Sequence, residues 1–108
     1  MPMIETVEGL DNIDGILSVP GIDVLLVGPS DLSINLGITL DYLNPKYGEA
    51  LDKIAAACKK AGVIPGMYFI PGEQDPNMFV ERGFTLFTLP WNKWAAKGIQ
   101  SGLETIKR

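Results

Sequence analysis

Four short apolar runs alternate with four longer amphipathic stretches, and this alternation constrains the fold more than any other feature of the chain. Residues 1–4 form a clipped apolar run. Residues 6–17 follow with Val7, Leu10, Ile13 and Leu17 on one helical face, although Gly9 and Gly15 weaken that helix. Residues 22–27 are nearly all β-branched or apolar, as a strand covered on both faces requires. Gly28–Pro29–Ser30 breaks that run, and Ser30 or Asp31 is expected to cap a short helix that Gly37 ends. The clearest helix is Pro45–Ala61, with Leu51, Ile54, Ala55, Cys58 and Ala61 along one face and Gly62 stopping it. Strands are predicted over 63–70 and 84–89. Helices are predicted over 75–82, opened by Asp75–Pro76, and over 92–107, with Ala95, Ile99, Leu103 and Ile106 as its stripe. Strand then helix, four times over, predicts one α/β domain spanning 1–108 around a parallel sheet. Right-handed crossovers bring every strand's C-terminal end to one edge, where α/β folds build their sites.

Composition narrows the chemistry. The chain has no histidine, which excludes Ser–His–Asp, Cys–His and His-ligated metal sites within it. A metal here must take oxygen ligands, which favours a hard ion such as Mg²⁺ or Mn²⁺. Cys58 is the only cysteine, so no internal disulfide forms, and its place on the helix's buried face makes it inert. The net charge is −4 and no basic run exists, so no nucleic-acid partner is expected. The first five residues lack a basic n-region and meet Glu5 at once, unlike a signal peptide. The longest apolar stretch, 24–27, is far too short to span a membrane. A cytoplasmic setting without a membrane partner is the expectation.

Two acids fall at the predicted site edge. Glu5 follows the first strand and Asp31 the second. Neighbouring strands lie about 4.8 Å apart, so both carboxylates can reach one cation. The plainer alternative is a solvated acid at Glu5 and an ordinary helix cap at Asp31. Gly28–Pro29–Ser30–Asp31–Leu32–Ser33 is the second feature. Gly28 permits a sharp turn and Pro29 fixes φ without offering an N–H. The N–H groups of Ser30 and Asp31 at a helix start would cradle an anion. A carboxylate held there would repel Asp31 unless a cation lay between them, so cradle and metal site cohere; an ordinary strand-to-helix turn is the alternative. Trp91 and Trp94 either wall a pocket or pack at an interface. Tyr68 and Phe69 end the third strand, with one of them expected in the core. Glu73 and Asp75 are expected to be loop acids.

Met3–Ile4–Glu5–Thr6, Gly21–Ile22–Asp23 and Gly28–Pro29–Ser30–Asp31–Leu32–Ser33 together closely resemble the HpcH/HpaI aldolase/citrate lyase family, best its class II pyruvate aldolases of the 2,4-dihydroxyhept-2-ene-1,7-dioate aldolase kind. The family's Ile-Glu-Thr precedes the Asp of Gly-Pro-x-Asp-Leu-Ser by 26 positions, the spacing found between Glu5 and Asp31. Ala61–Gly62, Pro65–Gly66 and Arg82–Gly83–Phe84 fit the same frame. The resemblance implies a (β/α)8 barrel, of which this chain would supply strands five to eight; a whole barrel takes about 250 residues. It implies a divalent metal (Mg²⁺, Mn²⁺ or Co²⁺) on Glu5 and Asp31, and a carboxylate cradle on Gly28, Pro29, Ser30 and Asp31. The implied activity is that of a metal-dependent aldehyde-lyase. It performs retro-aldol cleavage and aldol addition on pyruvate or another 2-oxo acid plus an aldehyde, through an enolate stabilised by the metal as Lewis acid. The family's catalytic His and substrate-binding Arg have no counterpart, because Arg82 and Arg108 match neither role. No catalytic residue is therefore expected in this chain, and alone it is expected to be catalytically incomplete. Tyr68 and Phe69 are bulkier than usual for the family, and 89–94 departs from its small polar residues.

Two alternatives remain at this point. One is a non-catalytic half-barrel binding or assembly module, forming a homo-oligomer or joining a complementing half-barrel, because a half barrel has two open edges. The other is an unrelated small flavodoxin-like α/β domain, with Asp31 as an isolated acid.

Overall fold

A computed structural model of the chain describes residues 1–72, 74–89 and 91–107; Glu73, Pro90 and Arg108 lie outside the described residues. The four predicted strands form, each shorter than its apolar run: β1 (Met3–Ile4), β2 (Val24–Val27), β3 (Ile64–Met67) and β4 (Leu86–Phe87). All neighbours pair in parallel, and the sheet order is β1-β2-β3-β4. A doubly wound flavodoxin-like sheet reverses its strand order at a switch point, whereas a barrel wall adds strands in sequence. The order found here has no reversal, which corrects the flavodoxin-like alternative.

The pleat divides the sheet's side chains. Ile4, Val27 and Met67 sit in register across three strands, and all three are buried in the helix-covered core. The opposite row is Met3, Leu26, Gly66 and Leu86. Gly66 is needed there. A Cβ built on it would lie 2.9 Å from Leu26 Cδ2 and 3.1 Å from both Leu86 Cδ2 and the Leu86 carbonyl oxygen.

The helices hold mostly to expectation. The 6–17 stretch splits into α1 (Val7–Asp11) and α2 (Ile13–Leu17). Asn12 ends the first and opens the second, and its side-chain amide donates to the Glu8 carbonyl at 2.9 Å, a local bond that competes with the helix ladder. Leu10, Ile13 and Leu17 are buried as predicted, while Val7 is exposed. The next helix, α3, runs Pro29–Asn35 with Gly28 as its N-cap. This corrects the expected cap at Ser30 or Asp31: Pro29 suits the first helical position, so the helix begins two residues earlier than a Ser30 cap would start it. Helix α4 covers Pro45–Ala61 as predicted, capped by the Asn44 side chain and by Gly62 at φ 68°. Its buried stripe is Tyr47, Ala50, Leu51, Ile54, Ala57 and Cys58, whereas Ala61 is exposed. The stripe is thus rotated slightly from the one expected, with Ala57 replacing Ala61. Helix α5 shortens to Asn77–Val80, and Asp75 accepts from the Asn77 N–H at 2.9 Å.

The last helix, α6 (Trp91–Glu104), departs most. None of its residues is buried: of the predicted stripe, Ile99 and Leu103 face solvent, as does Ile106 just beyond the helix, and Ala95 is half-buried. A two-residue β4 offers it little sheet to lie on. The Cα radius of gyration is 16.7 Å, against about 13 Å for a compact chain of this length.

Cys58 is 0% exposed, and burial pushes its thiol up to about 11 from an ordinary 9.0. The thiolate is the reactive form. The folded chain at pH 8 should therefore resist iodoacetamide, with alkylation followed by mass spectrometry proceeding only at the rate of unfolding. A raised thiol favours the neutral form in the fold. Its stabilisation is complete below the unfolded value near 9.0 and is lost as pH climbs through about 11. The buried Tyr47 hydroxyl is shifted upward by burial too, and acts in the same direction.

Candidate active site

Glu5 and Asp31 come together as the sequence predicted. They line one cavity of about 420 Å³ at the C-terminal edge of the sheet, with Met3, Gly28, Ser30, Tyr68 and Phe69. Glu5 is the first residue after β1, and Asp31 lies in the first turn of α3 after β2. Gly28 makes room for the Glu5 side chain. A Cβ there would meet Glu5 Oε2 and Met3 Sδ at 3.1 Å and Glu5 Cβ at 3.2 Å. The Glu5 carboxylate therefore rests against bare backbone, and only a residue without a side chain leaves that space free.

The start of α3 supplies donors. Its first backbone bond runs from the Leu32 N–H to the Gly28 carbonyl at 3.0 Å. The N–H groups of Ser30 and Asp31 precede that bond, and such first-turn donors have no partner within the helix. Ser33 holds this turn in place. It is fully buried, donates to the Ser30 carbonyl at 2.7 Å, and accepts from the Leu40 N–H at 3.0 Å. Leu40 sits at φ 57°, a left-handed conformation costly for a branched side chain, and the Ser33 contact helps fix it. The same loop brings the Tyr42 hydroxyl to 3.4 Å from Ser30 Oγ. Sequence reasoning missed Tyr42, which stands twelve residues from Ser30 without any periodic relation to it.

Tyr68 and Phe69 both line the cavity, and neither is buried. This corrects the expectation that one would enter the core: Met67 takes the core position, and β3 ends there. Trp94 borders a different cavity with Ile70, Phe87 and Lys93, so the tryptophans do not join the two acids. Arg82 is engaged elsewhere, donating to Asp52 at 2.7 Å and to the Met78 carbonyl at 2.9 Å.

The donor set is all oxygen. Among the described residues no three His, Cys, Asp or Glu side chains converge, and Glu5 and Asp31 are the two acids that line this cavity. Two carboxylates leave most of a six-coordinate shell to water and ligand oxygens, as Mg²⁺-type sites do. Carboxylates without imidazole or thiolate suit a hard cation.

These features define a parallel α/β unit with a carboxylate site at the C-terminal ends of its strands. The HpcH/HpaI aldolase/citrate lyase profile matches residues 1–94. The hydroxypyruvate/pyruvate aldolase of Paraburkholderia phytofirmans is 37% identical over 105 residues, covering 96% of this chain and 40% of that protein. The 4-hydroxy-2-oxo-heptane-1,7-dioate aldolase of Shigella sonnei is 34% identical over 80 residues, covering 74% of this chain and 30% of that protein. A solved HpcH/HpaI aldolase/citrate lyase family protein from Burkholderia cenocepacia superposes with a TM-score of 0.80 at 30% identity, over 94% of this chain and 40% of that one. The chain belongs to the HpcH/HpaI aldolase/citrate lyase family. It spans between about a quarter and two-fifths of the length of the relatives it matches. Among the described residues no helix is long and apolar enough to cross a membrane.

Proposed function

We propose that this chain is strands five to eight of a (β/α)8 barrel and carries the metal half-site of a cytoplasmic class II aldolase acting on a 2-oxo acid and an aldehyde. The observation that carries this reading is the meeting of Glu5, Asp31 and the first turn of α3 in one cavity, with Gly28 clearing space for the Glu5 carboxylate. Glu5 and Asp31 would hold a divalent cation (Mg²⁺, Mn²⁺ or Co²⁺). When bound, that cation supplies Lewis-acid stabilisation of charge developing on a carbonyl oxygen. The Ser30 and Asp31 N–H groups would orient the substrate carboxylate, within a cradle formed by Gly28, Pro29, Ser30 and Asp31. Ser33 and Tyr42 keep that turn in shape from behind.

Among the described residues, the cavity lining contains no imidazole, ammonium or guanidinium group. The acid–base group and the cationic clamp would have to come from elsewhere, and an acid–base group alone is worth about 10²–10⁴-fold. The lone chain is thus proposed to bind rather than turn over. The apolar row Met3, Leu26 and Leu86 on the helix-free face, with β1 and β4 as open edges, favours pairing with a complementing half-barrel or a second copy.

The test is a Mn²⁺ titration of the purified chain followed by water-proton relaxation, with and without oxalate as a planar stand-in for the enolate of pyruvate. Mn²⁺ binding strengthened by oxalate supports the half-site. No binding by a chain that circular dichroism shows to be folded would leave only the assembly reading.

A further inference from the structure

Strand pairing continues one residue beyond the strands proper. The Gly28 N–H donates to Ile4 O at 3.1 Å, Tyr68 N–H to Val27 O at 3.0 Å, and Thr88 N–H to Met67 O at 3.1 Å. Glu5, Gly28, Tyr68 and Thr88 therefore form one row across the edge of the sheet. They follow Ile4, Val27, Met67 and Phe87, so alternation places them on the face opposite the helix-covered core. Within that row Gly28 contributes no side chain. Glu5 and Tyr68 face each other across it, two strand spacings or about 9.6 Å apart at the backbone. That gap accommodates a small organic acid.

Tyr68 is 52% exposed, although its backbone is anchored by the Val27 bond and by the Thr88 hydroxyl donating to its carbonyl. Its ring meets the ring of Phe69 edge to face at 6.1 Å and 72°. This aromatic pair borders two cavities at once. One is the cavity holding Glu5 and Asp31; the other, of about 340 Å³, is bounded beyond the pair by Thr88 and Leu89. Among the described residues, none that lines the second is charged.

We propose that Tyr68 is a specificity-determining residue: its ring is the wall that limits substrate length at the Glu5–Asp31 site and closes off the apolar Thr88–Leu89 cavity. The substrate class this fits is a short 2-oxo acid. Longer apolar tails meet the ring, and removal of the ring opens a space whose lining suits an alkyl group. The proposal rests on the metal half-site described above and adds to it the residue that selects among ligands.

The experiment compares wild type, Tyr68→Ala and Tyr68→Phe, each saturated with Mn²⁺. Affinities are measured for oxalate, pyruvate, 2-oxobutanoate and 2-oxohexanoate by water-proton relaxation. One poorly accommodated methylene is worth about tenfold or more in discrimination. Wild type and Tyr68→Phe should lose at least about tenfold from pyruvate to 2-oxohexanoate, because the ring and not the hydroxyl is the obstacle. Tyr68→Ala should abolish that loss while still binding Mn²⁺ and oxalate. An unchanged length profile in Tyr68→Ala, with oxalate still bound, would overturn the wall while leaving the half-site intact. Failure of folded wild type to bind Mn²⁺ would overturn both.

Discussion

Glu5→Gln and Asp31→Asn should each weaken Mn²⁺ binding by at least 10–100-fold and abolish the enhancement by oxalate. The lower bound comes from metal sites in general, where losing even an outer partner of a ligand costs about 10–100-fold. A directly ligating carboxylate exchanged for a neutral amide removes both a charge and the better donor. The two effects should not add. If both side chains hold one ion, the double variant is scarcely worse than either single one, and a double-mutant cycle reads that coupling. Relaxation titration measures the affinities, and circular dichroism with urea melts checks the fold. Folding should be nearly indifferent. Glu5 is half-buried and Asp31 exposed, and changes at such positions usually stay within about 0.5 kcal/mol. Asp31→Asn has one further small term, since an acid in the first turn of a helix contributes about 0.3–1 kcal/mol. Full Mn²⁺ affinity in either variant would remove that residue from the site.

Gly66→Ala should destabilise the chain by about 1–3 kcal/mol, the range for forcing extra volume into a packed position. The added methyl would stand 2.9 Å from Leu26 Cδ2 and 3.1 Å from Leu86 Cδ2, and those side-chain ends can turn aside. The Leu86 carbonyl oxygen, also at 3.1 Å, belongs to the ladder and cannot. Relief therefore requires β3 and β4 to separate, and that pairing is short: the Gly66–Leu86 and Met67–Phe87 rungs, flanked by the Thr85 N–H bond to Pro65 O and the Thr88 N–H bond to Met67 O. Gly15→Ala is the control. Nothing lies within 4 Å of its Cβ position in α2, so relief of glycine's entropy should leave stability equal or higher by about 0.5–1 kcal/mol. Urea midpoints of the two variants should move in opposite directions. A Gly66→Ala midpoint equal to wild type would show that the sheet yields at no cost.

The acid pair was legible in the sequence because its placement depends only on strand ends and crossover handedness, both of which are local or near-universal. Helix α4 was legible end to end for a similar reason: Asn44, Pro45 and Gly62 are stop and start signals whose physics is confined to a turn. The hidden parts are those where partners lie far apart in the chain or are missing altogether. Nothing in the Ser30 neighbourhood announces Tyr42, which arrives on a loop shaped by the buried Ser33 hydroxyl. Tyr68 and Phe69 read as strand residues, but the strand stops at Met67 and leaves both rings at the cavity. Periodicity found the stripe on α6, yet periodicity reports an amphipathic face and not what covers it. The N-cap of α3 moved from Ser30 to Gly28 because Pro29 settles into the first helical position.

Helix α6 has 14 residues and no buried side chain. A lone helix of that length is marginal in water, since nucleation is costly and few bonds repay it. Its amides should open without any unfolding of β2, β3 and α4, whose Leu25, Val27, Leu51, Ile54 and Met67 are all fully buried. Native-state hydrogen exchange should then show two classes: amides of α6 with protection near that of a free peptide, and amides of the β2–α4–β3 body limited by global opening. Uniform protection would mean that α6 shares the body's cooperativity. The family match ends at residue 94, within the first turn of α6. The stretch matched by the profile and the stretch that folds as one cooperative unit would thus have nearly the same boundary.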